Sequence, residues 1–123
     1  EPALATLQRV GLAERAEVPA ANLSHGEHRQ LEIAMALATR PSLLLLDEPM
    51  AGMGPDESAR MVELLRELKA GHTIVLVEHD MDAVFALADR ITVLVYGRAI
   101  VTDSPDEIRR HPEVRQAYLG EED

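Results

Sequence analysis

With 123 residues, 46% of them hydrophobic and 28% charged, the chain has ordinary globular composition and material for one domain or one piece of a domain. A formal net charge of -10, with two tyrosines, one phenylalanine and no tryptophan, repels nucleic-acid phosphates and offers few rings for stacking bases, so a nucleic-acid footprint is missing. The absence of cysteine removes disulfide and thiolate-metal chemistry, and no apolar run approaches the roughly 18 to 20 residues of a membrane-spanning helix.

The opening Glu1-Pro2-Ala3-Leu4 carries no initiator methionine and enters an apolar pattern at once, which reads as a cut within a longer chain. Leu4, Leu7 and Val10 fall at helical spacing and Gly11 closes that helix, followed by an acidic, alanine-rich connector through Pro19. Ser24 opens a second predicted helix, ending near Arg40 because Pro41 cannot continue it, with Leu31, Ala34, Met35 and Ala38 on its apolar face. Residues 43–46 are an unbroken apolar run between Pro41 and Asp47-Glu48-Pro49, which predicts a strand buried on both faces of a parallel sheet.

A glycine-containing loop at 51–55 leads to a helix whose Met61, Leu64, Leu65 and Leu68 form one stripe, stopped at Gly71. Residues 73–77 then give a second β-branched strand, so strand, helix and strand form a βαβ unit and the fold class is α/β. A further helix is predicted through Val84, Leu87 and Ala88, and a hairpin from residues 91–95 and 99–102 around Tyr96-Gly97-Arg98. Ser104, Pro105 and Glu107 supply a cap, a first-turn proline and a capping-box acid for a helical tail.

Three stretches bear chemistry. Leu23-Ser24-His25-Gly26-Glu27 is on its own a plain capping box, yet a helix N-terminus with a small residue in its first turn also presents N–H groups and a positive dipole end to an anion. Asp47-Glu48 can simply end a strand, or it can serve at the carboxyl edge of a parallel sheet, with Asp47 holding Mg²⁺ and Glu48 positioning or deprotonating water. His79, in Val77-Glu78-His79-Asp80, is either a solvated surface imidazole or a group at the end of the neighbouring strand able to reach a terminal phosphate.

Their order and spacing together resemble the ATP-binding cassette (ABC) ATPase family over essentially the whole chain. The resemblance makes Leu23, Ser24, His25, Gly26 and Glu27 the signature motif, residues 43–48 the Walker B strand, residues 50–54 with Gly52 and Gly54 the D-loop, and His79 the switch histidine. Glu48-Pro49-Met50-Ala51-Gly52-Met53-Gly54-Pro55 and the tail from His111 to Gly120 look most like branched-chain amino acid importers. The family pattern is departed from at His25, where glycine is more usual, at Glu27 for glutamine, and at Gly54 for the D-loop aspartate, which puts coupling through that carboxylate in doubt.

The fold so implied is the C-terminal part of a P-loop NTPase core: residues 1–40 end the helical subdomain, 41–103 run from Walker B through the hairpin, and 104–123 form the tail. Implied too are ATP and Mg²⁺ as cofactors, Glu48 and His79 as catalytic groups, Asp47 as the metal ligand, and a signature that faces the ATP of a second ATPase subunit. Transmembrane permease subunits are the implied further partners, on the inner face of the cell membrane. No G-x-x-x-x-G-K-[ST] phosphate loop occurs, and Lys69, the only lysine, ends the leucine-rich helix. The isolated chain is therefore expected to bind ATP weakly, not to hydrolyse it, and to self-associate through surfaces left uncovered. Rival readings are a non-enzymatic half-domain lending its signature to a partner ATPase, an ABC ATPase for export or for a role outside transport, and a metal hydrolase built on Asp47, His79 and Asp80.

Overall fold

The computed structural model describes residues 2–120. Their packing makes two compact units, Glu1–Glu78 and His79–Asp123. The division into three parts by motif is a separate proposition from this division by packing.

In the first unit, α1 (Pro2–Arg9) is closed by Gly11 in the left-handed region at φ 81°, as the glycine stop predicts. Helix α2 (His25–Leu37) starts at Ser24 as expected but ends three residues before Arg40, which itself turns left-handed at φ 54°. Its buried face is Gly26, Ile33, Ala34 and Leu37, whereas Met35 is 65% exposed and Ala38 is exposed. The expected face is thus rotated. Met35 and Ala38 share a helical stripe by spacing, but Ile33 and Leu37 are the larger apolar residues that are buried, and the Gln30 side chain donates to the Val10 carbonyl at 3.1 Å.

Strand β1 (Leu43–Asp47) pairs in parallel with β2 (Thr73–Val77), in register from Leu43 opposite Thr73 to Asp47 opposite Val77. Between them runs α3 (Pro55–Lys69), with Met61, Leu64, Leu65 and Leu68 buried as the stripe predicts. The strand does not have two buried faces. Leu44 is 3% exposed, but Leu43, Leu45, Val75 and Val77 all lie open on the other side of the pair. A run of leucines reports hydrophobicity, not cover, and among the described residues of this unit nothing covers that outer face.

The second unit holds α4 (Met81–Leu87), the antiparallel hairpin β3 (Ile91–Val95) and β4 (Arg98–Asp103), α5 (Pro105–Arg110), α6 (Pro112–Val114) and a π-type turn over Arg115–Leu119. Tyr96 and Gly97 both have positive φ, the requirement of a tight two-residue hairpin turn. Ile91, Val93, Ile108 and Val114 make the core, with Phe85, Ile100 and Leu119 packed around it. Ser104 and Pro105 begin α5 as predicted, but Glu107 is not the capping-box acid. Its carboxylate pairs with Arg110 at 2.7 Å, and the Ser104 N–H goes to the Asp103 carboxylate at 2.8 Å, a shorter reach.

Candidate functional site

The parallel pair ends in a sharp change of backbone direction. Asp47 is the last residue of β1 and is exposed on the open face, while Glu48 turns left-handed at φ 48°. Arg40 and Tyr96, the other described non-glycine residues with positive φ, lie in a helix-end turn and a hairpin turn. Glu48 lies at a strand end instead, where such a conformation is strained and tends to mark function. Its N–H continues the sheet by donating to the Val77 carbonyl at 2.7 Å, and its own carbonyl accepts from Ala51 at 3.1 Å. Past it, Pro49 and Met50 are buried, and the Met50 N–H donates to the Glu78 carboxylate at 3.3 Å. Gly52 is left-handed at φ 77°, and Gly54, which caps α3, has open space where a Cβ would stand.

The N-terminus of α2 meets that loop. Ser24 accepts from the Glu27 N–H at 3.2 Å and the Glu27 carboxylate accepts from the Ser24 N–H at 2.9 Å, a complete capping box; Leu23 just before it is half-buried. Arg15 adds a 2.8 Å ion pair to Glu27. The Arg15 guanidinium, followed by the Ser24 N–H, pulls the Glu27 carboxyl down to about 2, and Glu27 in turn raises Arg15. The His25 ring crosses to the loop, with Nε2 2.6 Å from the Ala51 carbonyl oxygen. Gly26 is buried in the first turn, and the Glu57 carboxylate from α3 sits where a side chain there would begin. A cleft of about 280 Å³ adjoins it, lined by Ser24, Gly26, Glu27, Met53, Glu57 and Arg60 among others.

Asp47, Glu48, the Leu23–Glu27 segment, Gly52 and Gly54 therefore belong to one compact unit. His79 stands two residues beyond the last residue of β2 and opens the second unit. Asp80 caps α4, accepting from the Ala83 N–H at 3.2 Å. Sequence reasoning missed Arg15, Glu57 and Glu78 as neighbours of these motifs. Only Glu78, an acid at a strand end beside the motif histidine, left a trace that spacing could have flagged.

The donor set suits a hard cation and its anion in part. Asp47 offers exposed carboxylate oxygens, the ligand type Mg²⁺ prefers, at the sheet edge where open α/β folds bind ligands. The first turn of α2 offers a helix N-terminus whose buried Gly26 is screened by Glu57, so an anion approaching there must displace a flexible carboxylate. A parallel pair with an acidic carboxyl edge and a capped helix against the following loop defines part of an ATP-binding cassette fold. Solved structures agree: a nucleotide-free ATP-binding cassette from an ABC transporter superimposes with TM-score 0.85 at 31% identity, covering 98% of this chain and 49% of that one. An ATP-binding cassette of an ABC transporter in its ADP conformation gives 0.84 at 31% identity, covering 97% and 49%.

The ABC transporter family matches residues 1–51, and the branched-chain amino acid ATP-binding cassette transporter family matches residues 100–123. The chain is 47% identical over 117 residues to the high-affinity branched-chain amino acid transport ATP-binding protein LivG of Salmonella typhimurium, covering 94% of this chain and 46% of that protein. It is 42% identical over 117 residues to the corresponding BraF protein of Pseudomonas aeruginosa, with the same two coverages. The chain spans just under half the length of these curated relatives. It belongs to the ABC transporter ATP-binding family.

Proposed function

We propose that these residues form the Walker B and signature portion of an ATP-hydrolysing subunit that powers uptake of branched-chain amino acids. The observation that carries this role is the junction at Glu48: a carboxylate on a strained, left-handed backbone at the carboxyl end of a parallel strand, in a loop hydrogen-bonded to the capped helix. The names of the relatives, LivG and BraF, support the substrate class.

In this role Asp47 holds Mg²⁺, which supplies charge neutralisation to the terminal phosphates when bound. Glu48 orients or deprotonates the attacking water, and His79 hydrogen-bonds the terminal phosphate. Ser24, His25, Gly26 and Glu27 face the nucleotide of a second ATPase subunit, with Leu23 setting the helix entry and Gly52 and Gly54 shaping the loop beside it. Permease subunits in the membrane are the further partners, which puts the assembled subunit on the cytoplasmic face. The 123 residues alone, having no phosphate-loop sequence, bind ATP weakly and do not turn it over.

The test is a chimera in which these residues replace the matching region of Salmonella LivG. We expect Mg²⁺-dependent ATP hydrolysis that Glu48→Gln lowers by about 10²-fold or more, with MgATP binding retained. Hydrolysis indifferent to Glu48→Gln refutes the role of Glu48, and hydrolysis by the 123 residues alone refutes their expected inactivity.

A further inference from the structure

The signature and the D-loop of one chain are separated by more than twenty residues, yet they touch through one side chain. His25 Nε2 lies 2.6 Å from the Ala51 carbonyl oxygen. A carbonyl only accepts, so Nε2 carries the hydrogen and donates it to the loop. Space for it is made by Gly52, left-handed at φ 77°: a Cβ there would sit 2.9 Å from Nε2 and 3.3 Å from Cδ2. A donor on one element and room for it on the other are independent features that fit one contact.

The contact extends inward. The Ala51 N–H donates to the Glu48 carbonyl at 3.1 Å, and the Glu48 N–H donates to the Val77 carbonyl at 2.7 Å. A continuous hydrogen-bonded path thus runs from the first residue of α2 through the loop to Glu48 and into β2. We propose that His25 is a positioning residue that latches the signature helix to the D-loop of its own chain, so that movement of the helix N-terminus is transmitted to the backbone of Glu48. Glycine at position 25 has no side chain to make this latch, and Gly54 has no carboxylate to couple the loop elsewhere. His25 therefore supplies a link of a different kind. The latch itself is independent of the ATPase role proposed above; its effect on turnover rests on that role.

The experiment compares His25→Gln with His25→Asn, both on an exposed position that leaves the Ser24 cap intact. The glutamine amide nitrogen reaches about as far as Nε2 and the asparagine nitrogen does not. Hydrogen exchange on the 123-residue chain is expected to show the amides of residues 51–53 losing protection by about tenfold in His25→Asn, the loss of one hydrogen bond, and keeping it in His25→Gln. In the LivG chimera, His25→Asn is expected to lower kcat, and His25→Gln to restore it. Equal exchange in wild type and His25→Asn overturns the latch. A kcat unaffected by His25→Asn overturns its transmission to Glu48. Glutamine-selective protection in a chimera with no Glu48-dependent hydrolysis supports the latch and refutes the ATPase role instead.

Discussion

Leu44 and Leu45 are adjacent in one strand and identical in chemistry, and the structure assigns them different energies. Leu44 is 3% exposed and Leu45 is 71% exposed. Truncating a fully buried leucine to alanine removes its transfer free energy and leaves a cavity, costing about 2.7–5 kcal/mol. At Leu45 under a third of that burial exists to be lost and no cavity forms, so Leu45→Ala should cost about 0.5–1 kcal/mol. For a domain whose whole stability is about 5–15 kcal/mol, the first change approaches the limit of folding and the second does not. Urea titration at low protein concentration reads the difference. With a slope of about 1–2 kcal/mol per molar for a domain this small, Leu44→Ala should shift the midpoint by about 2 M and Leu45→Ala by about 0.5 M. Should Leu44→Ala not fold at all, Leu44→Val gives a smaller cavity and a cost of about 1 kcal/mol against the matched Leu45→Val, which should be near neutral. Equal shifts at the two positions would refute the one-sided sheet.

The same open face, Leu43 and Leu45 beside Val75 and Val77, should drive self-association; sedimentation is expected to show dimers or larger species, dispersed by Leu45→Glu, and wild type staying monomeric at high concentration would count against this. Because the folded pKa of Glu27, about 2, lies below its ordinary value of 4.5, the stabilisation from Arg15 and the cap is complete above that ordinary value and is lost as pH falls through about 2. Carboxyl NMR titration should find this midpoint, and Arg15→Ala should move it upward; an unmoved midpoint would remove Arg15 as the main cause. Gly52→Ala places a Cβ on a left-handed backbone against the His25 ring, so it should cost about 1–2 kcal/mol from the backbone alone, measured by thermal unfolding. Ser24→Ala removes the cap oxygen of α2 and should cost about 1 kcal/mol in the same measurement.

Much of the architecture was legible because each signal had one physical meaning. Gly11 could only close a helix, Ser24 with Glu27 three residues on could only begin one, and Tyr96-Gly97 between β-branched runs had to turn. The errors share a cause. Leu31, Ala34, Met35 and Ala38 have helical spacing, and residues 43–46 have hydrophobicity, but neither property states which side meets a neighbour. Glu107 has the spacing to serve the Ser104 N–H, but spacing does not show that the adjacent Asp103 takes it. Spacing fixes where an element starts and stops; the direction a face points depends on contacts between elements distant in sequence.

The site divides along the same line. Asp47, Glu48 and the Leu23–Glu27 segment could be named from the sequence because their order is a pattern along the chain. What joins them could not, since His25 to Ala51 and Met50 to Glu78 are contacts across elements, made by side chains whose ordinary place is the surface. The strain at Glu48 follows from those contacts. A left-handed glutamate persists only where its surroundings hold it, and here its N–H is fixed to β2 and its carbonyl to Ala51, whose own carbonyl is held by His25. The residue proposed to act on water thus depends for its backbone conformation on the residue proposed to face another subunit. Loosening the second should relax the first, so Glu48→Gly, which removes the left-handed penalty of about 1–2 kcal/mol, should stabilise the chain less in His25→Asn than in wild type. A double-mutant cycle in urea measures that difference, and additive effects would mean that His25 does not help to hold the strain at Glu48.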